Sequence, residues 1–251
     1  MIEIRNLSAG YSKRPFLKEI SLSIPGGAVT VLLGPNGSGK STLLKAITGL
    51  VPLTGGAVQL DGICTESLCP RLRAQRIAYL PQSRNVPNIT AYRMVLHGRF
   101  PYLSYPRHYR ETDRSAVWDA LKQMEAQELA DIPLPQLSGG QRQRVYLAMT
   151  LAQNTPNILM DEPTTYLDIK HQLEFMQTAH RLASDGKAVC IVLHDLCLAL
   201  QTADFIAVLE NGAVRFLGAP EALYEENIIK DTFGVAVKRI DTELGSRYVY
   251  V

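Results

Sequence analysis

A glycine-rich stretch that ends in a lysine and a serine is the part of the sequence best suited to bind a phosphate. Residues 34–41 read GPNGSGKS and fit the pattern GxxxxGKS. Glycines at this spacing let backbone N–H groups turn inward around an anion. Lys40 can place its charge on the β- and γ-phosphates, and the Ser41 hydroxyl can reach Mg²⁺. A glycine-rich turn without a ligand is the ordinary alternative, but the apolar run before it and the helical pattern after it favour a nucleoside triphosphate site.

Two adjacent carboxylates follow another apolar run. Asp161 and Glu162 come directly after residues 157–160, and Pro163 ends the strand. In a chain with a phosphate-binding loop, an acid at a strand end can serve the Mg²⁺ that Ser41 holds. Glu162, which should point to the other side of the strand, can orient or deprotonate a water. Ordinary surface acids are the alternative, and the strand that delivers them favours a site.

Two further polar side chains follow apolar runs in the same way. Gln82 comes after residues 77–80, and His194 comes after residues 187–193. Parallel strands deliver the residues at their carboxyl ends to one edge of a sheet, where α/β proteins bind ligands. A lone glutamine or histidine is more often structural. Their shared position makes both candidates for the same site.

A second anion-binding pattern lies before the helical stretch 142–152. Ser138 can cap this helix, and Gly139 and Gly140 leave its first amides open. Adjacent glycines weaken a helix start, so we expect a ligand to approach there. Tyr11 lies in an early loop, where it can either pack against the protein or stack on a base, and composition does not choose between these.

The elements that must position these residues follow from apolar periodicity. Strand patterns cover residues 2–7, 21–24, 29–33, 57–60, 77–80, 157–161 and 187–193, and turn signals lie at 25–27 and 54–56. Between residues 85 and 136 prolines and tyrosines interrupt the pattern, and residues 110–129 are charged with helical spacing. This order predicts an α/β sheet that carries a helical insert.

Bulk composition excludes several classes of function. The chain has 251 residues, enough for one large α/β domain, and its 26 basic and 24 acidic side chains give a net charge of +2. No strong field therefore favours nucleic acid or an anionic membrane. No apolar run approaches the roughly 20 residues that span a bilayer. The four cysteines lack metal-type spacing, which favours a reduced cytosolic setting. We expect a soluble chain whose membrane role, if it has one, comes through a partner.

Together these residues resemble the ATP-binding cassette (ABC) ATPases. The matching motifs are Walker A (residues 34–41), the Q-loop (Gln82), an intact LSGGQ signature (residues 137–141), Walker B (residues 158–162), the D-loop (residues 164–168) and the switch histidine (His194). Their order and spacing agree from about residue 2 to residue 220. Tyr166 stands in the D-loop where many members carry a smaller residue.

The resemblance implies an α/β fold, with a P-loop NTPase (RecA-like) core, an N-terminal antiparallel β subdomain and an inserted α-helical subdomain. One nucleotide-binding domain would span residues 1–251. Its core would comprise residues 1–84 and 156–251, and its helical subdomain residues 85–155.

The resemblance also implies ATP and Mg²⁺ as cofactors and gives the candidate residues their roles. Tyr11 would stack on adenine, Lys40 would hold the phosphates, Ser41 with Gln82 and Asp161 would organise Mg²⁺, Glu162 would polarise the attacking water, and His194 would contact the γ-phosphate. The catalytic set is then Glu162, His194, Gln82 and Lys40. The nucleotide contacts would be Tyr11, Gly34, Asn36, Gly37, Ser38, Gly39, Lys40, Ser41, Thr42, Ser138, Gly139, Gly140 and Gln141.

The implied assembly is a head-to-tail homodimer with two ATP molecules, each between Walker A of one copy and residues 138–141 of the other. Residues 80–82, 164–169, 193–196 and the tail from Gly218 resemble the importer branch for ferric siderophores, haem and cobalamin. Cys197 departs from those relatives, which often have Asn. The implied partners are membrane permease subunits, docked on a groove that includes residues 83–110, and indirectly a secreted or periplasmic binding protein. Nucleic acid is not expected.

In this picture the chain works at the cytoplasmic face of the membrane. Three alternatives remain open at this point. One is a soluble ABC ATPase without a permease, acting in DNA repair or on ribosomes. Another is an importer ATPase for an unrelated small solute. The last is a regulatory module that binds nucleotide without hydrolysis, which the presence of Glu162 and His194 disfavours.

Overall fold

Strands and helices alternate along most of the chain, as described by a computed structural model for residues 1–11, 15–82, 85–226, 228–242 and 245–251. The strands in these ranges are β1 (Ile2–Ala9), β2 (Leu17–Ile24), β3 (Ala28–Leu33), β4 (Leu53–Leu60), β5 (Ile63–Cys64), β6 (Ile77–Leu80), β7 (Asn157–Asp161), β8 (Ala188–Val192), β9 (Phe205–Glu210), β10 (Ala213–Gly218), β11 (Val237–Thr242) and β12 (Gly245–Tyr250). The helices in the same ranges are α1 (Lys40–Ile47), α2 (Pro70–Ala74), α3 (Ala91–His97), α4 (Glu111–Gln123), α5 (Gly139–Ala152), α6 (Ile169–Ser184), α7 (Leu196–Thr202), α8 (Pro220–Glu225) and α9 (Ile228–Phe233). Short 3₁₀ turns lie at Thr65–Ser67, Phe100–Tyr102, Gln127–Leu129 and Leu134–Gln136.

The main sheet has the strand order β10-β9-β3-β8-β7-β6 in the described part of the chain. β3 pairs in parallel with β8 and β9, and β7 pairs in parallel with β6 and β8. Every residue of β3 is buried, because both faces of the sheet are covered. Val31 packs into one hydrophobic core and Leu32 into the other, as the alternation of a strand requires. The carboxyl ends of β3, β6, β7 and β8 therefore meet at one edge of the sheet.

A second, antiparallel sheet has the order β2-β1-β4-β5 and shares a core with α1 and one face of the main sheet. The predicted turn at residues 54–56 is wrong, because these residues lie inside β4. Gly56 has φ +77°, and a Cβ there would collide with the carbonyl oxygens of Arg5 and Asn6. The β1–β4 pairing shifts register next to this point. The glycines therefore permit a bulge within a strand, and β4 is longer than the sequence predicts.

Helices α3, α4 and α5, which follow β6 and precede β7 in sequence, pack together with Val95, Val117 and Val145 fully buried. The predicted helix over residues 110–129 is wrong in its second part, because α4 ends at Gln123 and Glu125 takes φ +48°. A separate 3₁₀ turn follows. None of the helices in the described ranges is long and apolar enough to cross a bilayer.

Candidate functional site: a phosphate loop, a carboxylate–histidine pair and a second helix start

The phosphate-binding loop joins β3 to α1 at the edge where the parallel strands end. Three of its glycines have positive φ, namely Gly34 (149°), Gly37 (78°) and Gly39 (109°). A Cβ on Gly34 would collide with the carbonyl oxygen of Leu209 and the hydroxyl of Ser38. The loop needs glycine at that position because the neighbouring strand lies so close. The Ser38 hydroxyl oxygen is buried and has no hydrogen-bond partner among the described residues.

Lys40 is buried at the start of α1 and points back into the loop. Its ammonium group donates to the carbonyl oxygens of Gly34 at 2.7 Å and Pro35 at 3.0 Å. Burial lowers the pKa of Lys40, and the charges of Glu162 and Asp161 act in the opposite direction. The charge thus lies beside two carboxylates and the loop that would enclose a phosphate.

Asp161 ends β7 next to Ser41. The Ser41 side chain lies close enough to lower the pKa of the Asp161 carboxyl, and the Tyr79 hydroxyl donates to its Oδ2 at 3.5 Å. Burial raises the pKa of Asp161, and the neighbouring Ser41 and Tyr79 side chains partly offset this rise. Its Oδ1 is buried and has no hydrogen-bond partner in the described part of the chain.

These groups fit a divalent cation with oxygen ligands. An orphaned carboxylate oxygen beside a serine hydroxyl is the type of donor set that Mg²⁺ prefers when nucleotide phosphates and waters complete its shell. Among the described residues there is no cluster of three or more His, Cys, Asp and Glu side chains that could hold a metal by itself.

Glu162 and His194 form a close pair just beyond the ends of β7 and β8. Nε2 of His194 lies 2.6 Å from Oε1 of Glu162, and the Glu162 side chain is only 11% exposed. Glu162 takes φ +52°, an uncommon conformation for a residue other than glycine. Because the strand ends at Asp161, strict alternation does not continue through Glu162. Its carboxylate lines the cavity next to the phosphate loop.

Eight of the seventeen predicted site residues line one cavity of about 390 Å³. Its lining comprises Phe16, Asn36, Gly37, Gly39, Lys40, Ser41, Thr42, Gln82 and Glu162. His194 and Asp161 are not part of this lining, but His194 contacts Glu162 and Asp161 lies next to Ser41. The sheet edge thus gathers residues that are far apart in sequence, such as Lys40 and His194, which are 154 positions apart.

Phe16 is a cavity residue that the sequence patterns did not single out. Its ring lies against Gly39, where a Cβ would be 3.0 Å from a ring carbon. Tyr11, the predicted adenine contact, is not among the cavity's lining residues and is 72% exposed. Lys45 places its ammonium 5.9 Å from the Tyr11 ring centroid. A single aromatic in a loop before β2 carries no periodic signal, so spacing alone could not have found Phe16.

The second helix start, at Ser138, has the predicted cap. The Gln141 amide donates to the Ser138 hydroxyl at 3.3 Å, and the Ser138 amide donates to the Gln141 side chain at 2.9 Å. This reciprocal pair is a capping box. A Cβ on Gly139 would lie 3.6 Å from that of Tyr166. The glycines therefore lie against Tyr166 of the same chain on one side.

Residues 138–141 lie apart from the phosphate loop. Two cavities, of about 360 and 280 Å³, flank Tyr166 and are lined by Gly139 and by Ser138, Gly140 and Gln141, respectively. No described residue of this segment lines the phosphate-loop cavity. Gln82 borders both the phosphate-loop cavity and the Gly139 cavity. Within one chain, the two anion-binding patterns do not enclose a common volume.

Gln143 is a second residue that sequence reasoning missed. It is buried on α5, and its side-chain amide donates to the carbonyl oxygen of Pro163 at 2.5 Å. Because Pro163 follows Glu162, this contact ties the helix of the second anion-binding pattern to the loop after β7. Its place inside a helical stretch gave no signal, since a buried glutamine and a solvated one look alike in sequence.

Comparison with known proteins decides the family. The family model described as "ABC transporter" matches residues 17–165. The chain belongs to the ABC transporter family. Curated relatives of this ABC ATPase include the achromobactin transport ATP-binding protein CbrD of Dickeya dadantii (strain 3937), 40% identical over 93% of this chain and 88% of that protein. The iron(3+)-hydroxamate import ATP-binding protein FhuC of Bacillus subtilis (strain 168) is 38% identical over 97% of this chain and 89% of that protein.

A further relative is the hemin import ATP-binding protein HmuV of Rhodococcus jostii (strain RHA1), 42% identical over 91% of this chain and 78% of that protein. Among solved structures, the dimeric ABC transporter cassette MJ0796 is 34% identical with a TM-score of 0.78, and covers 88% of this chain and 99% of that one. The same cassette is also known bound to ADP and phosphate in a post-hydrolysis state. This ABC ATPase thus binds and hydrolyses ATP, and its predicted fold class is confirmed.

Proposed function

We propose that this chain is the ATP-hydrolysing subunit of an importer that takes up a metal chelate. The chelate is a ferric siderophore, haem or cobalamin. The observation that supports this most is similarity over 91–97% of the chain to relatives named for transport of achromobactin, iron(3+)-hydroxamate and hemin. The intact hydrolytic constellation around Glu162 supports a working ATPase over a module that only binds nucleotide.

ATP binding begins at the phosphate loop. The inward-turned amides of residues 34–42 and the dipole of α1 favour the β- and γ-phosphates. The Lys40 ammonium, now bonded to the carbonyl oxygens of Gly34 and Pro35, exchanges these for phosphate oxygens. Such charge-assisted hydrogen bonds are about twice as strong as neutral ones. Tyr11 stacks on the adenine.

Ser41, Gln82 and Asp161 would hold Mg²⁺ next to the phosphates. When bound, the ion neutralises charge on the β- and γ-phosphate oxygens. The unpartnered Oδ1 of Asp161 supports this role, because a buried carboxylate oxygen without a donor is costly unless a ligand uses it.

Hydrolysis transfers the γ-phosphoryl group to water and releases ADP and phosphate. Glu162 accepts the proton of the attacking water, and His194 contacts the γ-phosphate. The 2.6 Å contact between these two side chains supports a shared task. Positioning and charge stabilisation supply most of the rate in phosphoryl transfer, so the geometry of this pair matters more than basicity alone.

A second copy of the chain completes each site. The cavities of residues 138–141 lie apart from the phosphate loop of the same chain, so this anion-binding helix is free for the nucleotide of another copy. Tyr166 and Ile169, both 77% exposed, form an apolar surface beside it that a partner copy would cover. Closure on ATP and reopening after hydrolysis then drive transport.

The permease docks on the helical side. Val86, Phe100 and Tyr105 expose 44%, 49% and 96% of their surfaces there. They lie in the predicted docking segment 83–110, whose residues Ser83 and Arg84 are outside the described residues. Through the permease the chain works at the cytoplasmic face of the membrane, with a binding protein delivering cargo on the far side. The net charge of +2 gives no support to a nucleic-acid partner.

Uptake by the host cell tests the proposal. The gene is deleted, and uptake of labelled ferric siderophores, haem and cobalamin is measured after complementation with the parent, Glu162→Gln or Glu225→Gln. We expect the deletion to abolish uptake of one chelate. The parent and Glu225→Gln, an exposed control on α8, should restore it, and Glu162→Gln should not.

Two results would contradict the proposal. Normal uptake of every chelate, with loss of another solute, would exclude this cargo class. Recovery of ribosomes or DNA-repair proteins, in place of a multi-span membrane protein, in a pull-down from solubilised membranes would exclude an importer.

A further inference from the structure

The C-terminal hairpin of β11 and β12 packs against α7, the helix that follows His194. Gln201 on α7 donates to the carbonyl oxygen of Tyr248 at 3.3 Å. Tyr248 is only 5% exposed, and its ring meets that of Tyr224 edge-on at 5.3 Å. The Arg239 amide of β11 in turn donates to the Tyr224 hydroxyl at 3.1 Å. The hairpin is thus held firmly on the body of the protein.

One side chain of this hairpin reaches the start of α7. The Tyr250 hydroxyl accepts a hydrogen bond from the Leu196 amide at 2.9 Å and donates one to Oδ1 of Asp195 at 3.2 Å. Asp195 is the cap of α7, since the same Oδ1 accepts from the Leu198 amide at 3.1 Å. The first amides of a helix have no partner within the helix. Asp195 and Tyr250 together satisfy two of them.

This arrangement fixes the backbone directly after His194. His194 directly precedes Asp195. The cap and the Tyr250 hydroxyl therefore fix the backbone position from which the His194 side chain extends. Burial raises the pKa of Tyr250 to about 12, so its hydroxyl stays protonated and keeps donating to Asp195 at neutral pH. Tyr250 touches neither His194 nor Glu162 in any hydrogen bond of the described residues, so its influence on them passes through its neighbours in the first turn of α7, Asp195 and Leu196 with Cys197 beside them.

We propose that Tyr250 is a positioning residue that sets the His194 imidazole for ATP hydrolysis by holding the cap of α7. The inference rests on the role proposed above for His194. When the Tyr250 hydroxyl is removed, the Leu196 amide loses its partner and Asp195 loses a donor. The residue before the cap then samples a wider range of backbone angles, and the His194–Glu162 pair is populated less often. A hydrogen bond of ordinary strength, about 0.5–1.5 kcal/mol, corresponds to a loss of roughly 2- to 12-fold in turnover.

Two single-atom changes on the same strand make the test. Tyr250→Phe removes the hydroxyl that bonds Asp195 and Leu196 and keeps the ring. Tyr248→Phe removes a hydroxyl two residues away that makes no bond to either residue. For each variant we would measure kcat and KM for ATP, the melting temperature, and the ring resonances of the five histidines by NMR, with the His194 signals assigned from His194→Ala.

We expect Tyr250→Phe to lower kcat about 2- to 12-fold with KM unchanged, in assays run well below its melting temperature, which the lost hydrogen bonds should lower by a few degrees. The variant should also move the His194 ring resonance further than that of any other histidine. Tyr248→Phe should leave kcat and the His194 resonance at their parental values. Addition of Asp195→Asn to Tyr250→Phe should lower kcat no further than the larger single change, because both act through one cap.

An unshifted His194 resonance or an unchanged kcat in Tyr250→Phe would overturn the proposal. Equal losses of kcat in the two tyrosine variants, or a loss in Tyr250→Phe that disappears well below its melting temperature, would also overturn it, because the hairpin would then only stabilise the fold. Failure of the underlying catalytic role has a different signature. In that case Glu162→Gln and His194→Ala themselves retain parental turnover.

Discussion

At the scale of single residues, Asp161 shows a conflict between folding and chemistry. Burial raises the pKa of its carboxyl, so the ionised form opposes folding at neutral pH. That cost fades as the pH falls through the raised pKa, because the carboxyl becomes neutral in the folded chain. The charge is kept at the end of β7 because a cation bound with nucleotide would use it.

Asp161→Asn should therefore make the nucleotide-free protein more stable while it abolishes turnover. The amide keeps the size of the side chain and removes a buried, partly unsatisfied charge, for a gain of about 1 kcal/mol, or roughly 2–4 °C in melting temperature. The gain should be largest at pH 7 and shrink on acidification. Thermal unfolding without nucleotide, at several pH values, measures it. A variant that melts below the parent at pH 7 would contradict this account.

Two aromatic residues, Tyr11 and Phe16, are candidates for stacking on the nucleotide base, and substitutions can distinguish them. Tyr11→Ala should weaken binding of ATP and GTP alike by about 1–3 kcal/mol, since stacking tolerates any base. Phe16→Leu, which keeps an apolar side chain against Gly39, should bind nearly as the parent does. Fluorescent-nucleotide titration gives both affinities. Parental affinity in Tyr11→Ala, combined with a loss in Phe16→Leu, would move the stacking role to Phe16.

At the scale of elements, the two glycines of β4 differ in whether the backbone requires glycine. Gly56 has positive φ and no room for a Cβ, whereas a Cβ on Gly55 would make an ordinary 3.7 Å contact with Ser8. Gly56→Ala should cost about 2 kcal/mol or more, since the left-handed conformation alone costs roughly 1–2 kcal/mol. Gly55→Ala is the matched control and should change stability by less than about 1 kcal/mol. Equal urea midpoints for the two variants would exclude the bulge.

Comparison of these elements with the sequence patterns shows which parts of the fold such patterns can predict and which they cannot. Apolar runs before Gln82, Asp161 and His194 predicted strands correctly, because a strand buried on both faces must be continuously apolar. A glycine pair has the same composition in a turn and in a bulge, and only the neighbouring strand distinguishes them. The sequence pattern could not predict that α4 ends at Gln123 for a similar reason, since the charged residues that follow continue the helical spacing.

The features of the site also differ in whether the local sequence can predict them. Residue type and spacing sufficed to find the phosphate loop, because its chemistry is local. The 2.6 Å meeting of Glu162 with His194 and the capping of α7 by Tyr250 depend on segments far apart in sequence. No single window of the chain contains that information.

At the scale of the whole molecule, the separation of residues 138–141 from the phosphate loop makes assembly testable. Gly139→Asp should bind ATP as a monomer about as the parent does, because the new Cβ has room beside Tyr166. It should hydrolyse almost none, since its charge would repel the γ-phosphate of the partner copy's nucleotide. Gly139→Asn is the uncharged control and should lose less. Activity assays and gel filtration with ATP measure both properties.

Mixing two inactive variants tests the shared site directly. Lys40→Ala and Gly139→Asp damage opposite halves, so one site of a mixed dimer keeps both halves intact and some activity should return. Parental specific activity should also rise with protein concentration. If it stays flat on dilution and Gly139→Asp hydrolyses ATP normally as a monomer, the shared-site model is wrong.

The position of β3 in the main sheet has a consequence for synthesis. β3 ends at residue 33, but its two neighbours β8 and β9 begin at residues 188 and 205. At about 5–20 residues per second, a ribosome makes the intervening chain in roughly 8–30 s. During that interval both edges of this very apolar strand have no native partner, and such edges invite pairing with other chains. The antiparallel sheet is complete by residue 64 and shares a core with Leu32, so it can shelter one face of β3 long before the edges close.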